Sequence, residues 1–225
     1  SDALFCRPAL FRMYTPKRFA NEEAAPLNSL IDNNPFMTVI SYPRGEKPFI
    51  NHLPIIRESD GSGALELIGH MSRQNPQWRH FEQDKNGTVI VHGPHAYISP
   101  RWYKSGRDVP TWNYAVAHLE GSFELLPDFL SQVEVLKKLT LHFERAQAEP
   151  WAFGLPEELK DERSLTAAIV SFKFRVEKSE VKFKFSQNRS EADRKGIIDG
   201  LSAASDDLSH SVRDIMAALE RKATR

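Results

Sequence analysis

Two short segments of the sequence carry polar side chains of the types that bind phosphate and polyol groups. The first is Asn51-His52-Leu53-Pro54, and the second runs from Gly69 to Trp78. Arginine forks onto phosphate oxygens, serine donates a hydrogen bond, and histidine and asparagine pair with hydroxyl groups. The two segments supply these groups through His52, His70, Ser72, Arg73 and Asn75. The pattern predicts a site for a phosphorylated ligand where strands end.

A turn between the two segments brings them together in the predicted sheet. Asp60-Gly61-Ser62-Gly63 is typical of a tight turn. With Gly61 and Ser62 at its centre, paired residue numbers sum to about 123, which sets His52 opposite Met71 and Leu53 opposite His70. The alternative is that His70 and Asn75 only satisfy backbone groups at a turn, which such residues commonly do.

A second set of candidate residues lies later in the chain. Lys184, Gln187 and Asn188 end an alternating strand pattern and could hold a carboxylate, phosphate or ribityl group, although a solvated strand end has the same pattern. Trp112 lies among alternating aromatic and polar residues. That arrangement could stack a planar heterocycle or a base, or it could pack in a core or an interface.

His92-Gly93-Pro94-His95 is the segment to consider for a metal site. Its two imidazoles lie three residues apart, but the Gly-Pro dipeptide prevents a helix face and no third ligand is evident. A rigid turn without metal is therefore the prediction. Nucleophile-elbow, phosphate-loop and dinucleotide motifs are absent from the sequence, so no side chain is assigned a catalytic role.

The composition is typical of a globular protein with no excess of either charge. The 225 residues contain 30 Lys and Arg against 30 Asp and Glu, so the net charge is zero and does not indicate nucleic acid or a membrane as a partner. Cys6 is the only cysteine, which excludes an intramolecular disulfide. Together with a start that lacks a signal-peptide pattern, this predicts a cytoplasmic protein.

The elements that must position these candidates form a β-rich centre between helical ends. Strand patterns cover residues 36–42, 49–56, 64–69, 88–92, 97–98 and 111–125. Phe172 to Val176 and Val181 to Phe185 alternate with charged residues, which predicts an antiparallel hairpin turning at Lys178-Ser179-Glu180, with Lys182 and Lys184 on a wet face. About seven strands follow from this pattern.

Helical patterns surround the strands. We expect helices over residues 21–31, 128–147 and 190–201, a short helical turn at 75–78, and a final amphipathic helix along Leu208, Val212 and Leu219. Helices flanking strands, without βαβ alternation, predict one compact domain with a β core.

Six segments resemble, in order, the PaiB-like family of FMN-binding negative transcriptional regulators. They are Met13-Tyr14-Thr15-Pro16 with Phe19, residues 51–54, 69–78, 93–103 and 109–114, and Phe183 to Arg189. The resemblance covers residue 13 to about 201, so residues 1–12 are an N-terminal extension and 202–225 a C-terminal helix packed on the same domain. Asn51 stands where the family has Thr, and Ser72 and Gln74 flank Arg73 where it has small residues.

The resemblance implies an antiparallel FMN-binding split β-barrel, mainly β with peripheral α-helices, that dimerises with flavin at the subunit interface. For a bound FMN, the candidates for the phosphate are Arg73, Ser72 and the backbone N–H groups near them. His70, Asn75 and Gln187 are the candidates for the polyol, and Trp112 is the candidate for the ring. The expected cofactor-binding set is completed by His52, Leu53, Met71, Lys184 and Asn188. DNA is an expected partner through the resemblance alone, and no membrane is expected.

Two other functions fit the same sequence. The chain has no convincing helix-turn-helix and a balanced charge, which makes an FMN-dependent oxidoreductase of the flavin reductase or pyridoxamine-phosphate-oxidase type the main alternative. The third alternative is a flavin-free barrel that serves as an interaction module.

Overall fold

The computed structural model describes residues 13–21, 23–58, 63–106 and 109–223, with side chains up to residue 221. The predicted hairpin turn at Asp60-Gly61-Ser62 and the N-terminal extension lie outside these residues. The described chain divides into two compact units. The described parts of the first lie within Ser1–Glu22, Pro94–Ala115 and Glu180–Arg225, and those of the second within Glu23–Gly93 and Val116–Ser179. The domain boundaries taken from the sequence stay a prediction.

A closed antiparallel β-barrel is the central element, as expected. Its described strands are β1 (Phe36–Ser41), β2 (Phe49–Glu58), β3 (Glu66–Ser72), β4 (Asn86–Ile98), β5 (Thr111–Leu126) and β6 (Ile169–Lys184). They follow the order β1-β2-β3-β6-β5-β4 around the barrel. Alternating apolar and polar residues explain these strands, because successive side chains of a strand point to opposite faces.

Six α-helices lie in the described chain: α1 (Ala24–Asn33), α2 (Gln77–Gln83), α3 (Phe129–Glu144), α4 (Glu162–Ala168), α5 (Glu191–Ser202) and α6 (Asp207–Ala223). Helices α3 and α5 begin with a side-chain cap. Asp128 accepts a hydrogen bond from the Ser131 backbone at 2.9 Å, and Ser190 accepts one from Asp193 at 3.1 Å. No described helix has the length and apolar character needed to cross a bilayer.

The hairpin predicted near the end of the chain is wrong, because β6 is one continuous strand of 16 residues. Lys178, Ser179 and Glu180 continue the strand, and they offer neither the glycine nor the positive φ of a tight hairpin turn. The buried apolar positions are even-numbered up to Phe174, but Val181, an odd-numbered residue, is buried as well. This change in the alternation makes the sequence of one strand resemble two strands. Lys182 is also buried, contrary to the expected wet face.

Two further expectations about the sheet need correction. His92-Gly93-Pro94-His95 is extended within β4, so the rigid turn and the separate strand at 97–98 are both wrong. The partners in β2 and β3 sum to 124, from Ile55 opposite Gly69 to Glu58 opposite Glu66. The register therefore differs by one residue from the predicted sum of 123, so the expected pairing of His52 with Met71 and of Leu53 with His70 does not fit it.

Aromatic residues fill the core of the second unit. Phe81 of α2 stacks on Phe123 with ring centroids 3.9 Å apart, and Phe123 also contacts Phe172 and Phe174 of β6 at 5.6 and 4.5 Å. All four rings are buried. On the other face of β3, Ile68 packs with Val135 and Leu139 of α3. The two packed faces hold the end of β3, where the second candidate segment begins, in a fixed position.

Helices α5 and α6 pack together in the first unit. Val212 and Met216 of α6 are buried, and Glu220 accepts a hydrogen bond from the Arg194 guanidinium of α5. The 3-10 turn Pro100–Trp102 contacts α5 where the helix has glycines at positions 196 and 200. A helix is thus confirmed at the predicted position, but the predicted apolar face is only partly buried, because Leu208 and Leu219 are exposed.

Candidate functional site

The turn after β3 carries Ser72, Arg73 and Asn75 and is held by its own hydrogen bonds. The backbone N–H of Arg73 donates to Ala168, that of Gln74 to Ser72 Oγ, and that of Asn75 to the Ser72 carbonyl. Asn75 Oδ1 accepts from the Gln77 backbone at 3.1 Å. The backbone donors of this turn, expected to bind a phosphate, are therefore already engaged, and side chains are left for that role.

The guanidinium of Arg73 is positioned by two contacts. Its Nε donates to the Thr166 carbonyl at 3.0 Å, and its Cζ lies 4.9 Å from the centroid of the Trp78 ring. Arg79 lies at the same distance from that ring. Cations are attracted to an indole face by its quadrupole. Trp78 thus contacts two guanidinium groups, and one of them belongs to Arg73, which directly follows the exposed Ser72. Guanidinium and hydroxyl groups are donors suited to a dianion.

His70 lies two residues before Ser72 on the same face of β3, and it is much less exposed than Ser72. The ring is largely buried, and burial lowers its pKa because the charged form loses hydration. His70 Nδ1 and the hydroxyl of Ser171, its partner residue on β6, are buried without a hydrogen bond in the described structure. Unsatisfied buried polar atoms on two paired residues are costly, so they mark a position where a water or a ligand hydroxyl fits.

The β2 segment offers one exposed polar group. His52 Nδ1 lies 3.0 Å from the hydroxyl of Thr38, which lies 3.2 Å from His92 Nε2. Leu53 is half-buried opposite Met37, and Met71 is buried in the core. Among the described residues, no group of three His, Cys, Asp or Glu side chains could hold a metal ion.

The remaining predicted residues lie in the other unit. Trp112 is half-exposed at the start of β5, where its ring centroid lies 6.0 Å from Tyr97 and 6.2 Å from His95. The amide of Gln187 accepts from the Phe185 backbone at 2.7 Å and donates to the Phe183 carbonyl at 2.6 Å. Both polar atoms of the Gln187 side chain are therefore engaged in hydrogen bonds at the end of β6.

Lys184 and Asn188 line a cavity of about 330 Å³. Three further cations line the same cavity: Arg18, Lys182 and Arg189. Lys184 Nζ donates to the Thr111 hydroxyl, and Lys182 Nζ donates to the Tyr14 carbonyl at 2.8 Å. Burial first, and then the charges of Lys182, Arg189 and Arg18, lower the pKa of Lys184. We call the thirteen residues of this lining the cationic cavity; all of them belong to the first unit.

The structure thus brings His70, Met71, Ser72, Arg73 and Asn75 together in one strand and turn, with His52 and Leu53 on the neighbouring strand β2. Trp112, Lys184, Gln187 and Asn188 belong to the other unit. Sequence reasoning missed Arg79 and the cations beside Lys184. Lys182 could have been found, because residues two apart on a strand share a face.

Both a family model and a curated relative match most of the chain in sequence. A family model described as "Putative FMN-binding domain" matches residues 13–178. The chain is 36% identical over 195 residues to the Bacillus subtilis (strain 168) "Protease synthase and sporulation protein PAI 2", and the match covers 84% of this chain and 89% of that protein.

Solved structures show the same fold at low sequence identity. The FAD and heme binding protein from Mycobacterium smegmatis is 19% identical with a TM-score of 0.55, and the match covers 73% of each chain. The flavocytochrome Anf3 from Azotobacter vinelandii is 16% identical with a TM-score of 0.57, covering 79% of this chain and 75% of that one. These two likenesses concern the fold alone.

Proposed function

This chain belongs to the PaiB-like family of FMN-binding split-barrel proteins, and we propose that it holds the phosphate of FMN on the side chains of the turn after β3. The observation that carries the proposal is that the guanidinium groups of Arg73, next to the exposed Ser72, and of Arg79 both contact the Trp78 ring. A phosphate monoester carries about −1.5 to −2 charges at neutral pH, so two cations match it.

The residues of the second unit fit the rest of this role. Ser72 Oγ accepts from the Gln74 backbone and still has its proton to donate to a phosphate oxygen. The unsatisfied His70 Nδ1 suits a hydroxyl of the ribityl chain. Bound FMN would supply redox chemistry through its ring, while these residues bind and orient it.

Arginine 73 gives the direct test. We expect Arg73→Met to weaken FMN binding by about 10- to 150-fold, the range for a hydrogen bond to a charged group. The affinity for riboflavin, which has no phosphate, should stay the same. Both affinities can be measured by quenching of flavin fluorescence on titration of flavin-free protein.

Arg163→Met is the matched control, because Arg163 is an exposed arginine on α4. Since Arg73 also contacts Thr166 and Trp78, the melting temperature must be recorded for each variant. Equal loss of FMN and riboflavin affinity would contradict phosphate binding by Arg73 and point to a general loss of structure.

The role of the flavoprotein has two candidates. Negative regulation of transcription is the one that the family resemblance implies. An FMN-dependent oxidoreductase is the second, and the zero net charge favours it because DNA binding usually needs an excess of cations. Oxidation of NADH or NADPH by the FMN-loaded protein, measured beside retardation of promoter DNA, separates them.

We also propose that the chain forms a homodimer in the cytoplasm. Tyr97 and Trp112 are 47% and 52% exposed and contact each other. Neighbouring exposed aromatic rings of this kind are typical of a protein interface. A single cysteine among 225 residues supports a reducing compartment.

A further inference from the structure

Three buried side chains of the first unit form a chain of contacts that includes none of the predicted site residues. Asn113 of β5 is fully buried, and its amide nitrogen lies 3.3 Å from the sulfur of Met216 on α6. Its amide oxygen accepts a hydrogen bond from the Ser186 hydroxyl at 3.1 Å. Ser186 and Met216 are buried as well. The contacts therefore join α6, β5 and the segment after β6 away from solvent.

The chemistry of its two partners determines the orientation of the Asn113 amide. A methionine sulfur has no proton and can only accept a hydrogen bond, whereas a serine hydroxyl can donate one. The amide NH2 group therefore faces Met216, and the amide oxygen is left to accept from Ser186. Loss of the Ser186 contact would leave this oxygen buried without its partner, which is costly.

Ser186 has a backbone conformation that requires support from its surroundings. Its φ is 61°, and it is the only non-glycine residue of the described chain with a positive φ. This left-handed region is unfavourable for serine because Cβ comes close to the carbonyl oxygen. The Ser186 carbonyl accepts from the Arg189 backbone at 2.9 Å, which closes the turn after β6. The hydrogen bond to Asn113 helps to stabilise this conformation.

The turn at Ser186 separates two of the expected cofactor-binding residues. Lys184 is the last residue of β6, and Asn188 lies two residues after Ser186. All three line the cationic cavity. Because a change of φ at Ser186 redirects the chain that follows, this angle determines where Asn188 lies relative to Lys184.

We propose that Asn113 is a positioning residue of the flavin site, which holds Ser186 in its left-handed conformation and connects that site to α6 through Met216. The inference rests on the FMN binding proposed above and deepens it, because α6 lies beyond the stretch that resembles the family. Asn113 acts through the conformation of Ser186 rather than through contact with the flavin. Glycine adopts a positive φ without a steric cost, so Ser186→Gly should remove the need for Asn113.

The test compares four full-length proteins: wild type, Asn113→Leu, Ser186→Gly and the variant with both substitutions. FMN affinity is measured by quenching of flavin fluorescence. We expect Asn113→Leu alone to weaken FMN binding about tenfold, since it removes the buried partner of Ser186. Ser186→Gly alone should keep the turn and bind FMN within about threefold of wild type. In the Ser186→Gly background, Asn113→Leu should weaken binding less than about twofold.

Controls separate positioning from loss of stability. Gln132→Leu removes another fully buried amide, which donates to the Pro127 carbonyl in the second unit, and it should leave FMN affinity unchanged. Met216→Leu removes the sulfur acceptor at similar volume, so it should weaken FMN binding about two- to fivefold. This variant serves if Asn113→Leu fails to fold. Met37→Leu, at a fully buried methionine of β1, is its control.

The outcomes distinguish this inference from the function on which it rests. Failure of wild type to bind FMN would contradict the proposed function and this inference with it. FMN affinities that are equal in wild type, Asn113→Leu and Met216→Leu would overturn this inference alone. So would an equal loss from Asn113→Leu in both backgrounds, which indicates a role in general packing. Hydrogen exchange of the Arg189 amide in flavin-free protein should be faster in Asn113→Leu, and an unchanged rate would also overturn the inference.

Discussion

Among single residues, His70 should make folding stability depend on pH. Burial lowers the pKa of His70 in the folded protein, so the unfolded chain binds a proton more readily. Its contribution is therefore fully present above the unfolded pKa of about 6.5 and is lost as pH falls from there toward the folded pKa. We expect His70→Gln to reduce the fall of stability below pH 6.5. Urea midpoints measured between pH 5 and 8 without added flavin check this, and identical pH slopes would contradict it.

Residue types and their order in the sequence predict some residues of the candidate site but not their neighbours in space. Arg73 and Ser72 were recognisable because a strand pattern ended in groups that suit phosphate. Arg79 was missed because its relation to Arg73 depends on the Trp78 ring between them. The engagement of the Arg73 N–H group by the Ala168 carbonyl could not be predicted either, since it depends on a chain segment almost a hundred residues away.

At the level of elements, the contact between α5 and the Pro100–Trp102 turn requires glycine. A Cβ added at Gly200 would lie 2.3 Å from the Trp102 ring, and one at Gly196 would lie 2.1 Å from the Trp102 carbonyl. Gly→Ala in a helix interior normally stabilises by about 0.5–1 kcal/mol. Here we expect Gly200→Ala to destabilise by about 1–3 kcal/mol, the usual cost of overpacking.

Thermal or urea unfolding measures that effect. Gly154→Ala is the control, because a Cβ there meets nothing within 4 Å and the backbone φ is not positive. A Gly200→Ala variant as stable as wild type would show that the turn and helix separate without cost.

The elements also show where sequence patterns stop being informative. The strands and capped helices were predictable because period and caps are local properties. The sequence of β6 predicted a hairpin because its buried apolar positions change parity across Lys178-Ser179-Glu180. Only the neighbouring strands decide whether such a segment turns. The one-residue error in the β2–β3 register has the same origin, since a turn centre fixes every pair that follows.

For the whole molecule, we expect a dimer whose stability depends on Tyr97 and Trp112. Light scattering at micromolar concentration should give twice the mass of 25.7 kDa. Trp112→Lys should shift the protein toward monomer, because a charge at an apolar interface must be desolvated. Trp151→Lys is the control, since Trp151 is a similarly exposed tryptophan. A wild-type monomer, or an equal effect of both variants, would contradict the prediction.

The position of β6 in the barrel also determines when the protein can fold. β3 pairs with β2 across a connection of seven residues, but its other neighbour is β6, where Ile68 meets Lys173 about a hundred residues later. Closing so long a loop is slow compared with forming the first hairpin. On the ribosome, the first three strands must therefore wait for most of the chain to be synthesised. During that time β3 presents an unpaired edge, which other growing chains can join.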